Sequence, residues 1–273
     1  MLLLGDSASA AYSARLHNAA FEAAGLPARF EARRVRPHEL KATVDALRQD
    51  GELMGASITA PFGTAIIPFL DGLGPEARAC GSVTTLSYRA GALVGWNTDG
   101  TAFLQALEDA EIDADGRDVV IVGAGAAARS IASVLRDSAQ RVWIAAQDLG
   151  QAERLCQDLQ IAAGGAVAMD ALPLILRKAT LVINATPVGG DGHSLVFPVQ
   201  WLRANQVVID LLYNPPLTPL VRSARGRGAR AINGLTMLLH QGLASFEIWT
   251  GSPAPETAMR AALERAAVLG PAT

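Results

Sequence analysis

The chain has 273 residues, 50% of them hydrophobic and 18% charged, with a formal net charge of −3 at pH 7. That length buries a proper core as one large or two modest domains, and without a net positive field nucleic acid is not an expected partner. The two cysteines, Cys80 and Cys156, make neither a disulfide framework nor a metal knuckle, so a reduced, cytoplasmic compartment is the expectation.

The opening MLLLGDS has no basic leader, its apolar run stops at Gly5, and no later segment is apolar for the roughly 20 residues a bilayer needs; no membrane association is expected. Strand-like pieces at Leu2 to Leu4, Ala28 to Ala32 and Leu53 to Ile58 alternate with helical patterns at Ser13 to Ala24, Pro37 to Gln49 and Phe62 to Leu70, which predicts a first α/β unit. Ser82 to Tyr88 and Leu93 to Trp96, joined by Arg89-Ala-Gly-Ala92, read as a hairpin closing it. Thr101 to Ala110 reads as a linking helix. A second alternation follows, with strands at Val119 to Val122, Arg141 to Ala145, Ala166 to Ala168, Leu181 to Asn184, Val207 to Leu211 and Ala229 to Ile232. Helices fall between the earlier ones, the order of a doubly wound nucleotide domain. Two helical patterns, Leu235 to Trp249 and Pro255 to Val268, finish the chain.

The most informative stretch is Asp118 to Ser130, DVVIVGAGAAARS, an apolar strand that meets Gly-x-Gly-x-x-Ala where a helix should begin. Gly123 permits the tight turn, Gly125 lets backbone N–H groups approach a pyrophosphate, and Ala126 to Ala128 are small enough for close helix packing. The helix N-terminus then faces a diphosphate. The next strand ends Ala146-Gln147-Asp148. An acidic side chain there accepts from ribose hydroxyls and repels a 2′-phosphate, and neither Lys nor Arg stands beside it, so NAD is favoured with NADP possible. The alternative is that Asp148 merely caps the helix starting near Gly150.

Polar clusters stand at three strand ends of the first unit: Ser57-Ile-Thr59-Ala-Pro61, Thr84-Thr85, and Trp96-Asn97-Thr98-Asp99-Gly100. Strand ends of an α/β layer point toward a cleft. Asp99 is the sharpest candidate, a carboxylate able to take an alcohol proton while hydride leaves its carbon. Capping the Thr101 helix is its other reading. His17, His38, His193 and His240 lack ligand spacing, so no metal site is expected, and no Gly-x-Ser-x-Gly elbow suggests a hydrolase. His17, next to Asn18, reads as a structural hydrogen-bonding residue, and Met237, Leu238 and Leu239 read as core.

Taken in order, His17-Asn18-Ala-Ala-Phe21, Ser57-Ile-Thr59-Ala-Pro61, Ile66-Ile-Pro68, Trp96 to Gly100, Gly123 to Arg129, Ile183-Asn184-Ala-Thr186-Pro187, and Asn233-Gly-Leu-Thr-Met237 to Trp249-Thr-Gly251 resemble the shikimate and quinate dehydrogenase family. The resemblance runs almost end to end. It implies two α/β domains: a substrate domain at 1–100, a doubly wound Rossmann dinucleotide domain at 101–236, and C-terminal helices at 237–273 returning to the substrate domain. It also implies a small-molecule substrate and a monomer or homodimer. Substrate contacts would be Ser13, Ser57, Thr59, Thr84, Tyr213 and Gln241. Cofactor contacts would be Gly123, Ala124, Gly125, Ala126, Ala127, Gln147, Asp148, Thr186, Leu211, Gly234 and Met237.

The departures from the family pattern bear on chemistry. Gly63 stands where the family carries a lysine that pairs with the equivalent of Asp99 in proton transfer, so that ammonium is missing. Ala11-Tyr12-Ser13 keeps one hydroxyl of a Ser-x-Ser carboxylate clamp, and Thr84 replaces an Asn. Ala146-Gln147-Asp148 replaces the Asn-Arg-Thr of similar NADP enzymes. Without the lysine, Asp99 should have a raised pKa and act alone as acid and base. The expected activity is NAD(P)-linked hydride transfer on a small cyclic hydroxy acid or related compound, with poor turnover of shikimate and quinate. Two alternatives remain: a catalytically impaired relative that binds dinucleotide or a small ligand, and a dehydratase or isomerase using bound NAD transiently.

Overall fold

A computed structural model of the protein describes residues 1–5, 10–50 and 53–269, which divide into two units: Met1–Ala102 with Leu238–Thr273, and Phe103–Met237. The first unit contains β1 (Leu2–Gly5), α1 (Ala10–Ala23), β2 (Glu31–Arg34), α2 (Leu40–Gln49), β3 (Gly55–Ile58), α3 (Phe62–Ala65), β4 (Gly72–Leu73), α4 (Pro75–Cys80), β5 (Thr85–Arg89), β6 (Ala92–Trp96) and the start of α5 (Asp99–Asp109). Its sheet runs β2-β1-β3-β5-β6-β4, parallel from β2 to β3 and antiparallel on both sides of β5. Val44, Leu47, Ile58, Phe62, Ile66, Leu86 and Leu93 fill its core.

The expected hairpin forms with Ala90-Gly91 at its tip, both at positive φ. One expected strand is displaced. Ala28 to Ala32 has the better apolar content, yet β2 is Glu31–Arg34 and every residue of it is exposed. Pairing with β1, Leu2 opposite Glu31, sets the register of this edge strand, and charged residues at an edge discourage pairing with another chain. β4 and α4 were absent from the expected elements; they are too short to show a period and are bounded by Gly and Pro.

The second unit contains β7 (Asp118–Val122), α6 (Ala126–Leu135), β8 (Arg141–Ala146), α7 (Leu149–Asp158), β9 (Gly164–Ala168), α8 (Leu172–Leu176), β10 (Leu181–Asn184), β11 (Val207–Asp210), α9 (Pro219–Gly226) and β12 (Arg230–Asn233). Every pairing is parallel and the order is β12-β11-β10-β7-β8-β9. Strand order reverses between β7 and β10, the switch point at which such sheets bind ligands. Val119 to Val122 and Leu181 to Asn184 are buried throughout, as a sheet covered on both faces requires. Helix α9 was also missing from the expected elements: Thr218 caps it and Pro219 opens it, but only two turns of apolar pattern mark it.

The last two helices are α10 (Leu235–Thr250) and α11 (Glu256–Leu269). α11 packs on α1, and the end of α10 is pinned to the first sheet: Trp249 Nε1 donates to the Leu86 carbonyl at 2.9 Å and Arg89 donates to the carbonyl of Ile248. A Cβ at Gly55 would lie 2.7 Å from the Trp249 ring, so the indole needs glycine there.

Candidate active site

In the first unit the turn from β6 into α5 builds the acid site. Asn97, not Asp99, caps the helix: its Oδ1 accepts from the N–H of Asp99 at 3.1 Å and of Gly100 at 3.4 Å, while its Nδ2 donates to the Ser82 carbonyl. The capping reading of Asp99 is thereby corrected, and its carboxyl is left for other work. Gln241 Nε2 on α10 donates to Asp99 Oδ1 at 2.7 Å. Asp99 is 7% exposed, and burial, with no cation among the described residues offsetting it, pushes its pKa up from 3.8 to about 7. An amide N–H serves either protonation state, because Oδ1 accepts in both.

The other residues expected to contact substrate hold varied posts. Thr84 Oγ1 accepts from the N–H of Thr98 at 2.9 Å and pairs with the Thr98 hydroxyl at 3.1 Å, so its side chain shapes the Asp99 turn. Ser57 and Thr59 lie at the end of β3 and after it, partly exposed, with Ser57 opposite Thr85 in register. Thr85 in turn pairs with Ser245, one turn beyond Gln241, at 2.8 Å. Ser13 is buried on α1. Gly63 is buried on α3, and its carbonyl accepts from Val83. Tyr213 belongs to the second unit, partly exposed after β11.

His17 departs from its expected part. Its Nδ1 has no hydrogen-bond partner among the described residues, the ring lies 4.6 Å from Phe30 and 4.8 Å from Trp249, and burial lowers its pKa to about 3. It is a neutral stacking residue. The hydrogen bonding belongs to Asn18, which exchanges two bonds with the Phe30 backbone. Among the described residues no group of His, Cys, Asp and Glu can hold a metal.

In the second unit Gly123 takes φ +114°, and a Cβ there would meet the Ala185 carbonyl oxygen at 2.8 Å. The turn after β7 thus packs on the loop after β10. Gly125 caps α6 without any side-chain bond, and nothing lies within 4 Å of where its Cβ would stand. The first-turn N–H groups of Ala126 and Ala127 have no acceptor within the helix itself. Such a cradle fits a diphosphate. Ala124, Ala126 and Ala127 are partly exposed there. A Gly234 Cβ would come 2.0 Å from the Leu211 carbonyl oxygen, a second place where backbone closes on backbone. Met237 is buried.

Asp148 does cap α7: Oδ1 accepts from the N–H of Gln151 at 3.2 Å. Its other oxygen has no such bond, so capping and ribose binding are compatible, and both Gln147 and Asp148 are exposed. Sequence spacing concealed one cation. Arg154, a turn further on, leans back so that its Nη1 and Asp148 Oδ1 each lie 3.3 Å from where a Gly150 side chain would begin. Thr186 receives its order from Asn184, whose Oδ1 accepts from both its N–H at 3.0 Å and its hydroxyl at 2.7 Å.

A doubly wound parallel sheet with a glycine turn at its switch point defines the class of dinucleotide-binding proteins, here in a chain whose other unit carries a buried acid. Residues 3–86 match the shikimate dehydrogenase substrate binding domain, 105–190 the shikimate/quinate 5-dehydrogenase family, and 234–264 the shikimate 5′-dehydrogenase C-terminal domain. A shikimate dehydrogenase (NADP(+)) of Desulforamulus reducens is 36% identical over 98% of this chain and 95% of its own length. The chain belongs to the shikimate dehydrogenase family. Among solved structures, a shikimate 5-dehydrogenase from Listeria monocytogenes in complex with shikimate and NAD matches with a TM-score of 0.84 at 30% identity, over 96% of this chain and 95% of that one. The ligand-free 5-ketofructose reductase of a Gluconobacter species matches with a TM-score of 0.81 at 31% identity, over 97% and 98%. No described helix is long and apolar enough to cross a membrane.

Proposed function

We propose that the protein is a dehydrogenase of altered specificity, exchanging hydride between a nicotinamide and the C–OH or C=O carbon of a small polyhydroxylated compound other than shikimate or quinate, with Asp99 as its acid and base. The observation that carries this reading is the buried Asp99 carboxyl, poised near neutrality with, among the described residues, one side-chain donor and no bonded cation. When bound, the nicotinamide dinucleotide supplies or accepts the hydride. In ketone reduction Asp99 gives its proton to the carbonyl oxygen and regains one from solvent; in alcohol oxidation it takes the hydroxyl proton. Gln241 fixes Oδ1 and leaves Oδ2 for the transfer.

Loss of charge-assisted donors supports the altered specificity. Where a carboxylate clamp has shortened at Ala11 and Gly63 replaces lysine, each lost donor removes about 1–3 kcal/mol of anion binding. An anion beside ionised Asp99 would also meet like charge. Similarity to a protein named 5-ketofructose reductase supports a substrate outside the shikimate and quinate pair. For the cofactor we favour NAD, because the exposed Asp148 carboxylate repels a 2′-phosphate; the nearby Arg154 opposes this. A screen of cyclic hydroxy acids, polyols and ketones with NAD and NADP, read by nicotinamide absorbance, tests the proposal. Efficient shikimate turnover by the purified protein would refute altered specificity. Gly63→Lys combined with Ala11→Ser should raise whatever shikimate activity exists.

A further inference from the structure

Asp210 ends β11 at zero exposure, directly after three buried aliphatic residues, Val207 to Ile209. A lone carboxylate in such a place is costly unless its oxygens are filled. They are. Oδ1 accepts from Asn184 Nδ2 at 2.9 Å and from the N–H of Leu212 at 3.2 Å, and Oδ2 accepts from the Thr218 hydroxyl at 2.7 Å. Burial raises its pKa while these three donors oppose the rise, and no Lys or Arg bonds to it among the described residues.

The donors come from three separate segments. Asn184 closes β10, and besides ordering Thr186 it donates to the Val188 carbonyl at 3.2 Å. Leu212 is the second residue of the loop after β11, and its carbonyl accepts from the N–H of Gly234 at 3.0 Å. Thr218 caps α9 by accepting from Val221 at 3.2 Å. Ala185, between Asn184 and Thr186, is the residue against which the Gly123 turn closes. We propose that Asp210 is the positioning residue of the dinucleotide site, a buried clamp that sets the loops at the carboxyl ends of β10 and β11 in register with the glycine turn at the sheet's switch point. This rests on the dinucleotide reading above. Fixed polar groups on a rigid sheet bind without further loss of loop freedom, whereas loosened loops must be ordered on binding.

The test uses the full chain carrying Asp210→Ala, Asp210→Asn, Thr218→Val or Asn184→Asp. Dissociation constants for NADH and NADPH are measured by nicotinamide fluorescence, and amide hydrogen exchange is followed at Thr186, Val188, Leu212 and Val221. Asp210→Ala should weaken both nucleotides by about tenfold or more, equally, since bonds to a charged group are lost far from Asp148. Asp210→Asn should recover part of this, because its amide oxygen still accepts from Asn184 and Leu212. Thr218→Val, nearly isosteric, keeps the test alive should Asp210→Ala not fold. Asn184→Asp sets two carboxylates face to face, so one stays protonated at low pH and they repel once both ionise. Its nucleotide affinity should therefore fall as pH rises, relative to the unmodified protein, which mere scaffolding does not predict. Unchanged affinities in a folded Asp210→Ala protein, or unchanged exchange at the four amides, overturn the clamp. If the unmodified protein binds neither nucleotide, the dinucleotide reading fails instead, and the exchange rates alone then decide whether Asp210 orders these loops.

Discussion

Asp99 in the first unit and Asp210 in the second are both carboxyls buried near the end of a strand, and they differ in how many donors reach them. Asp210 receives three, one of them from its own strand exit, and each ties down a loop. Asp99 receives a single side-chain bond, from Gln241, and burial carries its pKa to about 7. A fully bonded buried acid has nothing left to exchange and holds structure. An under-bonded one keeps an oxygen and a proton available near physiological pH.

The largest effect that could break this contrast is on turnover. Asp99→Asn should lower kcat by about a hundredfold to ten-thousandfold with the best substrate found, while leaving the dissociation constant of NADH unchanged; an unaltered kcat would remove Asp99 from the chemistry. Asp210→Asn, by comparison, should act on nucleotide affinity more than on kcat.

The next effect is on stability. Asp99 has a folded pKa above its unfolded 3.8, so the folded state holds the extra proton, and that contribution is complete below pH 3.8 and is lost as pH rises through about 7. The gap in unfolding free energy between Asp99→Asn and the unmodified protein should grow in favour of the variant across that window, by up to about 4 kcal/mol. Urea unfolding at several pH values measures it, and parallel curves would mean that Asp99 ionises freely in the fold. The same titration should turn the rate profiles in opposite senses: ketone reduction falls above about pH 7 as the acid is lost, and alcohol oxidation rises.

A smaller effect sharpens the second unit. Gly123→Ala puts a Cβ 2.8 Å from the Ala185 carbonyl oxygen at φ +114°, which should cost about 1–3 kcal/mol in strain and weaken both nucleotides. The carboxyl of Asp210 is untouched by it, so a similar loss of affinity in both variants would trace the effect to the shared loop. The smallest expected change is in coenzyme choice. Arg154→Ala should weaken NADPH but not NADH, and Asp148→Asn should strengthen NADPH, each by a factor of about ten or less for exposed charges; competitive binding of the two nucleotides reads both.

Much of this was legible in the chain itself. The run Val119 to Val122 followed by Gly123-Ala-Gly125 placed a buried strand, a turn and a helix N-terminus, because continuous apolar residues, glycine and helical periodicity act locally. The hairpin of β5 and β6 and the long α10 and α11 were equally plain. Pattern failed where a neighbour decided. β2 took its place by pairing with β1 despite four exposed residues, and β4, α4 and α9 were too short to show a period. The aspartate ending the apolar strand Val207–Asp210 stands out in the chain, yet both of its side-chain donors lie at a distance, 26 and 8 positions away.

What the sequence by itself determined, then, is the alternation of the longer strands and helices, the glycine turn, the family resemblance and Asp99 as the carboxylate to test. Only the tertiary structure decided that Asn97 takes the cap and frees Asp99, that Gln241 arrives from 142 residues away to hold it, that His17 stacks, and that Asp210 binds three loops together. The physical reason is range: turns, caps and periodicity are set by residues a few positions apart, whereas burial and the count of donors around a carboxyl depend on which distant segments the packed fold brings to it.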